Sequence, residues 1–224
     1  MKPDYLYGTD YHVFQEEGMY HFNSDTEFLG HFMRIRSSDH VLDAGCAGGA
    51  LLLYAARFSP ASLTGIDLFP EVIGTAERNM AYNEVQASFA VSRLQDYEGG
   101  PFDVLVCNPP YFATGKESLK NENRYLKAAR HEEYLTCAEL VFHLNRLMKQ
   151  DGRIFIVYLA SRLRELLAET GKNGLVPVRM RFAHPSASKP ARSVCLELRR
   201  DSNAEFKVES PVLLNDRSTY AQEG

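Results

Sequence analysis

The sequence predicts an α/β fold whose seven-stranded sheet is mostly parallel and carries an antiparallel edge hairpin. Short apolar runs alternate with helix patterns between residues 40 and 172, as they do when helices connect parallel strands. A glycine-rich turn follows the first run and leads into a helix pattern. The last two runs have no helix between them, so we expect them to pair with each other.

Each element is predicted from its local pattern. The predicted strands are the apolar runs His40–Cys46, Ser62–Leu68, Ala87–Ser92, Phe102–Cys107, Gly152–Leu159, Leu175–Phe182 and Ser193–Arg199. The predicted helices are Gly49–Phe58, Pro70–Asn83, Glu132–Lys149 and Ser161–Lys172, the last with Ser161 as a candidate N-cap. We expect one domain over residues 1–224, made of an N-terminal extension (1–38) that contacts cofactor or substrate, a core (39–200) and a C-terminal tail (201–224).

Composition narrows the class of protein. The chain has 224 residues, of which 45% are hydrophobic, as in a globular protein of one domain. No apolar run approaches the roughly 20 residues that cross a bilayer, and the polar start, Met1–Asp10, lacks a signal-peptide core. We therefore expect a cytoplasmic protein with no membrane partner. The four cysteines form no CxxC pair, so we expect buried thiols and no metal site.

Charge is distributed unevenly along the chain, whose formal net charge is −4. Residues 1–111 contain 6 Lys or Arg and 15 Asp or Glu, whereas residues 112–200 contain 17 and 9. A basic second half is compatible with a face that binds phosphates. Solvated helix faces rich in Lys and Arg explain the same counts equally well. Monomer and homodimer both remain open.

The turn after the first predicted strand is a candidate cofactor site. It contains Asp43 followed by Gly45, Cys46, Gly48 and Gly49, and its spacing does not fit the GxGxxG pattern of dinucleotide-binding proteins. It resembles the methyltransferase pattern of an acidic residue and a glycine-rich turn, except that Ala47 replaces the middle glycine. The acidic residue suits a cationic cofactor such as S-adenosyl-L-methionine, which carries an ammonium and a sulfonium group.

Two further strand ends contribute candidate cofactor residues. Asp67, followed by Leu68, ends the second strand, where a carboxylate can accept hydrogen bonds from both ribose hydroxyls. A helix-capping role before Pro70 is the alternative for Asp67. Arg93, followed by Leu94, stands after the third strand, where related enzymes usually place an Asp for the adenine amino group. A backbone group or Asp96 could replace that Asp, and the sequence leaves both possible.

The segment Asn108-Pro109-Pro110-Tyr111 is the candidate catalytic motif, because it ends the fourth strand at the sheet edge where ligands bind. The Asn108 side-chain carbonyl and the Pro109 backbone carbonyl can accept hydrogen bonds from the two N–H groups of an amine on a planar ring. Those bonds would free the nitrogen lone pair for attack on a methyl group. Tyr111 can stack on the ring and hold it in place.

These motifs carry a resemblance to a known family. Asn-Pro-Pro-Tyr is similar to the (D/N)PP(Y/F) motif of Rossmann-like class I methyltransferases that methylate amino groups. The segment Tyr20–Leu29, with Phe22, Ser24, Asp25 and Thr26, resembles the N-terminal cofactor-contacting motif of that group. With Asn121-Glu122-Asn123, Ala128-Ala129-Arg130-His131-Glu132 and residues 179–185, the chain resembles bacterial tRNA (adenine-N6)-methyltransferases that modify valine tRNA beside the anticodon. The similarity runs from about Gln15 to beyond Leu198.

The resemblance implies an S-adenosyl-L-methionine cofactor, a tRNA partner and an RNA-binding loop after Tyr111. In that loop the residues expected to contact RNA are Phe112, Lys116, Lys120, Arg124, Lys127, Arg130 and His131. Three alternatives remain at this point: a protein glutamine N5-methyltransferase, an rRNA or DNA amino-methyltransferase, and a cofactor-binding protein without catalysis. The roughly 40 residues before the first strand leave little room for the substrate domain usual in the first of these.

Overall fold

The structure is a computed structural model that describes residues 2–109, 135–200, 203 and 205–220. The strands are β1 (Asp4–Tyr5), β2 (His12–Val13), β3 (His40–Ala44), β4 (Ser62–Asp67), β5 (Ser88–Val91), β6 (Phe102–Cys107), β7 (Met148–Leu159), β8 (Leu175–His184), β9 (Ser193–Arg200), β10 (Lys207–Val208) and β11 (Val212–Leu213). The helices are α1 (Ser24–Phe32), α2 (Ala50–Ala56), α3 (Pro70–Tyr82), α4 (Cys137–Leu147) and α5 (Leu163–Lys172).

The central sheet has the strand order β5-β4-β3-β6-β7-β9-β8-β10, and β11 also pairs with β8. Strands β3 to β7 run parallel, whereas β9 is antiparallel to both of its neighbours, β7 and β8. The predicted α/β class and the predicted hairpin are therefore confirmed. Because β8 follows the direction of β7, the β8–β9 turn lies at the same sheet edge as the carboxyl ends of the parallel strands.

The prediction of seven strands with the hairpin at the edge needs one correction. In the part of the chain that the structure describes, the sheet has nine strands, because β10 and β11 pair in parallel with β8. Both come from the segment predicted as a tail, and each is only two residues long, too short to show alternation in the sequence. They cover the outer hydrogen-bonding groups of β8, which would otherwise form an open edge.

Two helix boundaries and one whole helix also differ from the prediction. The fourth helix ends at Leu147 because Met148–Leu159 forms one continuous strand, and its predicted start, Glu132, lies outside the described residues. Ser161 is not an N-cap: it lies in a short 3-10 turn, and α5 begins at Leu163. Helix α1 was not predicted. Asn23 caps it by accepting hydrogen bonds from the backbone N–H groups of residues 25 and 26.

Two hydrophobic cores lie on opposite faces of the sheet. Along β7, Phe155 and Val157 point into the core beneath α1, α2 and α3, and Ile154 and Ile156 point into the core beneath α4 and α5. Helices therefore cover both faces and leave the strand ends accessible. All four cysteines are buried and free, as predicted.

No helix in the described part of the chain has the length and apolar character needed to cross a membrane. Across those same residues, His, Cys, Asp and Glu side chains form no group of three or more that could hold a metal ion.

Candidate cofactor and substrate cleft

A deep cleft opens at the carboxyl ends of β3, β4 and β6. Most of the sequence-predicted cofactor residues line it, together with the first two residues of the catalytic motif: Phe22, Thr26, Gly45, Cys46, Gly48, Asp67, Leu68, Arg93, Leu94, Asn108 and Pro109. The opposite wall is formed by the N-terminal segment, including Val13, Gln15 and Tyr20. Four predicted residues do not line the cleft: Ser24, Asp25, Asp43 and Gly49. The cleft therefore unites residues that are far apart in sequence.

The glycine-rich turn adopts a left-handed backbone at three positions. Gly45 has φ of 80°, Gly49 has φ of 81°, and Ala47 has φ of 45°. Ala47 thus keeps the conformation for which glycine is favoured, and its N–H donates to the Asp67 carboxylate over 3.1 Å. Gly49 does not line the cleft because it caps α2, where a Cβ would meet the Met80 side chain at 2.8 Å.

Asp43 lies behind the cleft lining, two residues before Gly45, and its side chain is buried. Both of its carboxyl oxygens have no hydrogen-bond partner among the described residues. Burial, reinforced by the negative charge of Asp67, raises the pKa of Asp43 to about 8. Because a buried charge without a partner is costly, the protonated form of this carboxyl is favoured.

Asp67 and Arg93 lie at the ends of the next two strands. The Asp67 carboxylate accepts the backbone N–H groups of Ala47 and Phe69, over 3.1 and 3.3 Å. Burial raises the pKa of Asp67, and these backbone donors partly oppose the rise. Arg93 is half-exposed and lies 4.0 Å from Asp96, which is itself more exposed and does not line the cleft. The cleft therefore has a cation where related enzymes place an acid.

Asn108 ends β6 inside the cleft. Its side-chain nitrogen donates to Thr26 Oγ1 over 3.0 Å and to the Tyr20 hydroxyl over 3.4 Å. Its side-chain oxygen, Oδ1, is buried and has no hydrogen-bond partner among residues that the structure describes. Burial raises the pKa of Tyr20, so this hydroxyl remains protonated. The amide thus has its donor side occupied and its acceptor side unused.

Two asparagines that the sequence pattern does not identify hold the N-terminal wall in place. Asn79 is fully buried on α3 and donates to the carbonyls of Phe14 and Gly48, over 3.1 and 2.8 Å. It also accepts the Phe14 N–H over 2.8 Å, and Asn83 makes a similar pair of bonds to His12. The signal in the sequence is two asparagines one turn apart on a helix, which alone does not identify a partner segment.

The structure places Asp25 outside the cleft, in contrast to the cofactor role that the resemblance implied. Its buried carboxylate accepts the Ser193 hydroxyl over 2.7 Å and Arg192 Nη2 over 3.0 Å. It therefore ties α1 to the start of β9. Ser24 is half-buried at the start of the same helix and does not line the cleft either. The remaining predicted positions, Pro110, Tyr111, Phe112, Lys116, Lys120, Arg124, Lys127, Arg130 and His131, lie outside the described residues.

The sheet order, with the cleft at its carboxyl edge, is that of the Rossmann-like methyltransferase fold. The chain belongs to the methyltransferase small domain family, whose sequence pattern matches residues 10–170. The expected enzyme class and the expected cofactor, S-adenosyl-L-methionine, are thereby confirmed.

The names of similar proteins agree with this assignment, and solved structures share the fold. Proteins from Aeromonas hydrophila and Parabacteroides distasonis, both named tRNA1(Val) (adenine(37)-N6)-methyltransferase, are 28% and 26% identical to this chain. The matches cover 86% and 89% of this chain and 82% and 85% of those proteins. Among solved structures, the ribosomal protein L11 methylase of Lactobacillus delbrueckii has a TM-score of 0.63 at 19% identity, covering 84% of each chain. Magnesium protoporphyrin IX methyltransferase of Synechocystis has a TM-score of 0.53 at 19% identity, covering 72% of this chain and 70% of that one.

Proposed function

We propose that this chain transfers a methyl group from S-adenosyl-L-methionine to the N6 amino group of adenine 37 in tRNA1(Val), the substrate named for its relatives. The observation that carries the proposal is the Asn108 amide. Its Oδ1 is buried in the cleft without a partner, while its nitrogen is held on the other side. A hydrogen-bond acceptor kept free in this way suits a substrate that donates N–H groups.

The cleft also suits the cofactor. Asp67 lines the cleft, and the Asp43 carboxyl lies buried behind the lining; these acidic groups favour a ligand with hydroxyl donors and an ammonium group. Gly45 of the glycine-rich turn lines the cleft, and among the described residues, its two chain neighbours aside, no atom lies within 4 Å of where a Gly45 Cβ would be. When bound, S-adenosyl-L-methionine supplies a methyl group activated by its positively charged sulfur.

The protein contributes orientation and electrostatics rather than a strong base. Asn108 Oδ1 and the Pro109 carbonyl accept the two N–H groups of the adenine amine, which withdraws the nitrogen lone pair from the ring. With the cofactor bound, the lone pair would be free to attack the methyl group, and the fixed orientation of the amine would lower the entropic cost of the step. Tyr111 would hold the base by stacking. The proton leaves after methylation, when the amine has become acidic.

RNA is the favoured substrate class for two reasons. The relatives that match over most of the chain are named as tRNA enzymes. A purine in a single-stranded anticodon loop is also easy to extrude into a cleft, because no base pair has to be broken. The basic loop after Tyr111, with Lys116, Arg124, Arg130 and His131, would contact the RNA backbone. A tRNA substrate implies action in the cytoplasm.

Methyl transfer to separate substrate classes tests the proposal. The protein is incubated with radiolabelled S-adenosyl-L-methionine and with bulk tRNA, total protein or DNA. Label should appear in tRNA, and nucleoside digestion should assign it to N6-methyladenosine. Label in glutamine or in DNA alone would replace the proposed substrate. Binding of the cofactor with no transfer to any of the three would instead support a cofactor-binding protein without catalysis.

A further inference from the structure

Helix α1 and the segment before it contact the catalytic motif directly. Asn108 Nδ2 lies 3.0 Å from Thr26 Oγ1 and 3.4 Å from the Tyr20 hydroxyl oxygen. An amide nitrogen has two hydrogens, so these two acceptors use its full donor capacity. The carbonyl oxygen of the same amide must then point away from Thr26 and Tyr20. This is the oxygen that has no partner among the described residues.

The two acceptors are themselves held by the N-cap of α1. Asn23 Oδ1 accepts the backbone N–H groups of Asp25 and Thr26, over 2.9 and 3.2 Å, which fixes the orientation of the Asn23 amide. Its nitrogen therefore donates to the Tyr20 hydroxyl over 3.0 Å, and its backbone N–H donates to Thr26 Oγ1 over 3.4 Å. The cap thus presents oxygen lone pairs, rather than hydrogens, towards Asn108.

We propose that Tyr20 and Thr26 are positioning residues for methyl transfer: they set the orientation of the Asn108 amide so that its oxygen faces the amino group of the substrate. The proposal rests on the proposed function of Asn108. It also gives Thr26 a different role from the one that the resemblance implies, because its hydroxyl contacts the catalytic residue rather than the cofactor. Helix α1 is anchored for this task at its own N-terminus, where Asp25 binds Ser193 and Arg192 across the sheet.

Loss of either hydroxyl should affect the chemical step more than cofactor binding. An amide that rotates or moves by about 1 Å no longer accepts the N–H groups in line with the methyl group, which can cost about 100-fold in rate. Removal of one hydroxyl leaves the other as an acceptor for the Asn108 amide. We therefore expect kcat to decrease by about 10-fold for one substitution and by more for both. Cofactor affinity should stay within about threefold, since the cofactor is held at the other strand ends.

Thr26→Val and Thr26→Ser form a matched pair for the test. Valine keeps the shape and removes the hydroxyl, whereas serine keeps the hydroxyl and removes a methyl group. The kinetic constants with tRNA are measured for both, together with the Kd for S-adenosylhomocysteine by calorimetry and the melting temperature. We expect Thr26→Val to lower kcat with little change in Kd, and Thr26→Ser to restore most of the rate.

Tyr20→Phe gives a second variant that leaves the bonds from the backbone N–H groups of Asp25 and Thr26 to Asn23 in place, and it tests the proposal if Thr26→Val fails to fold. A loss of rate in Thr26→Ser as large as that in Thr26→Val would overturn the proposal, because a variant that retains the hydroxyl should retain most of the rate. A raised Kd with unchanged kcat would also overturn it and would assign Thr26 to the cofactor. Wild-type protein that transfers no methyl group to tRNA would refute the proposed function, a result distinct from either of these.

Discussion

The buried acid beneath the glycine-rich turn gives a quantitative prediction for the protein without cofactor. Burial, reinforced by Asp67, raises the pKa of Asp43 from 3.8 to about 8, and its side chain is only 1% exposed, so solvent screening is small. Between these two pH values the folded state holds a proton that the unfolded state releases. The free energy of unfolding therefore falls as pH rises, by up to about 1.4 kcal/mol per pH unit. The contribution is fully present below about pH 4 and is lost as pH rises through 8.

Asp43→Asn removes this ionisation while keeping the shape of the side chain. Urea unfolding of wild-type and Asp43→Asn protein at pH 5, 6 and 7 yields the difference in the free energy of unfolding at each pH. We expect that difference to move in favour of Asp43→Asn by roughly 3 kcal/mol between pH 5 and pH 7. Other groups titrate equally in both proteins and cancel. A difference that does not change with pH would refute the reasoning, because Asp43 would then be ionised in both states.

The same ionisation should appear in cofactor binding. The ammonium group of S-adenosylhomocysteine favours the charged form of Asp43, so binding to the wild-type protein should tighten as pH rises from 6 to 8. The Kd should fall by up to about tenfold per pH unit. In Asp43→Asn the Kd should be weaker and nearly independent of pH. Identical pH profiles of Kd for the two proteins would show that the charge of Asp43 does not contribute to cofactor binding.

Three further predictions concern packing, strain and RNA binding. Gly30→Ala should lower the free energy of unfolding by about 2 kcal/mol, because a Cβ would lie less than 3 Å from three carbons of the Tyr54 ring. Urea unfolding measures this change, and an unchanged midpoint would contradict the contact. Ala47→Gly should raise stability by about 1 kcal/mol, since glycine adopts the φ of 45° without strain, and a loss of stability would contradict it. Lys189→Ala, in the exposed β8–β9 turn at the catalytic edge, should weaken tRNA binding and reduce its salt dependence by about one phosphate contact. Lys172→Ala, at the far end of α5, is the matched control, and an equal effect of both would refute a local contact.

The spacing of apolar residues predicts the strands and helices that are buried or that have one apolar face. Buried strands such as Phe102–Cys107 and amphipathic helices such as Pro70–Tyr82 carry that signal within their own sequence. Strands β10 and β11 carry none, because two residues cannot alternate and their pairing depends on the exposed edge of β8. Helix α1 does carry a local sequence signal, with Asn23 as N-cap and acidic residues in the first turn.

The sequence predicts those site residues whose side chains suit the chemistry and which lie at the end of a predicted strand. Asn108, Asp67 and the glycine-rich turn follow strands, so their convergence in one cleft follows from the parallel sheet. The partner of Asp25 was not predictable, because Ser193 lies 168 residues away and only the folded sheet brings the two together. The hydrogen bonds from Asn108 to Tyr20 and Thr26 have the same origin. Long-range pairing of polar groups leaves no periodic trace in a single sequence.

The most direct test of the central claim is nucleoside analysis of tRNA1(Val) treated with wild-type and Asn108→Ala protein, with the Kd for S-adenosylhomocysteine measured on both. We expect N6-methyladenosine at position 37 with the wild-type protein and none above background with Asn108→Ala, while the two Kd values stay within about threefold. Asn108→Ala protein that still methylates tRNA at the wild-type rate would contradict the role of the buried amide oxygen. Wild-type protein that binds S-adenosylhomocysteine but leaves the tRNA unmodified would contradict the assignment of the substrate.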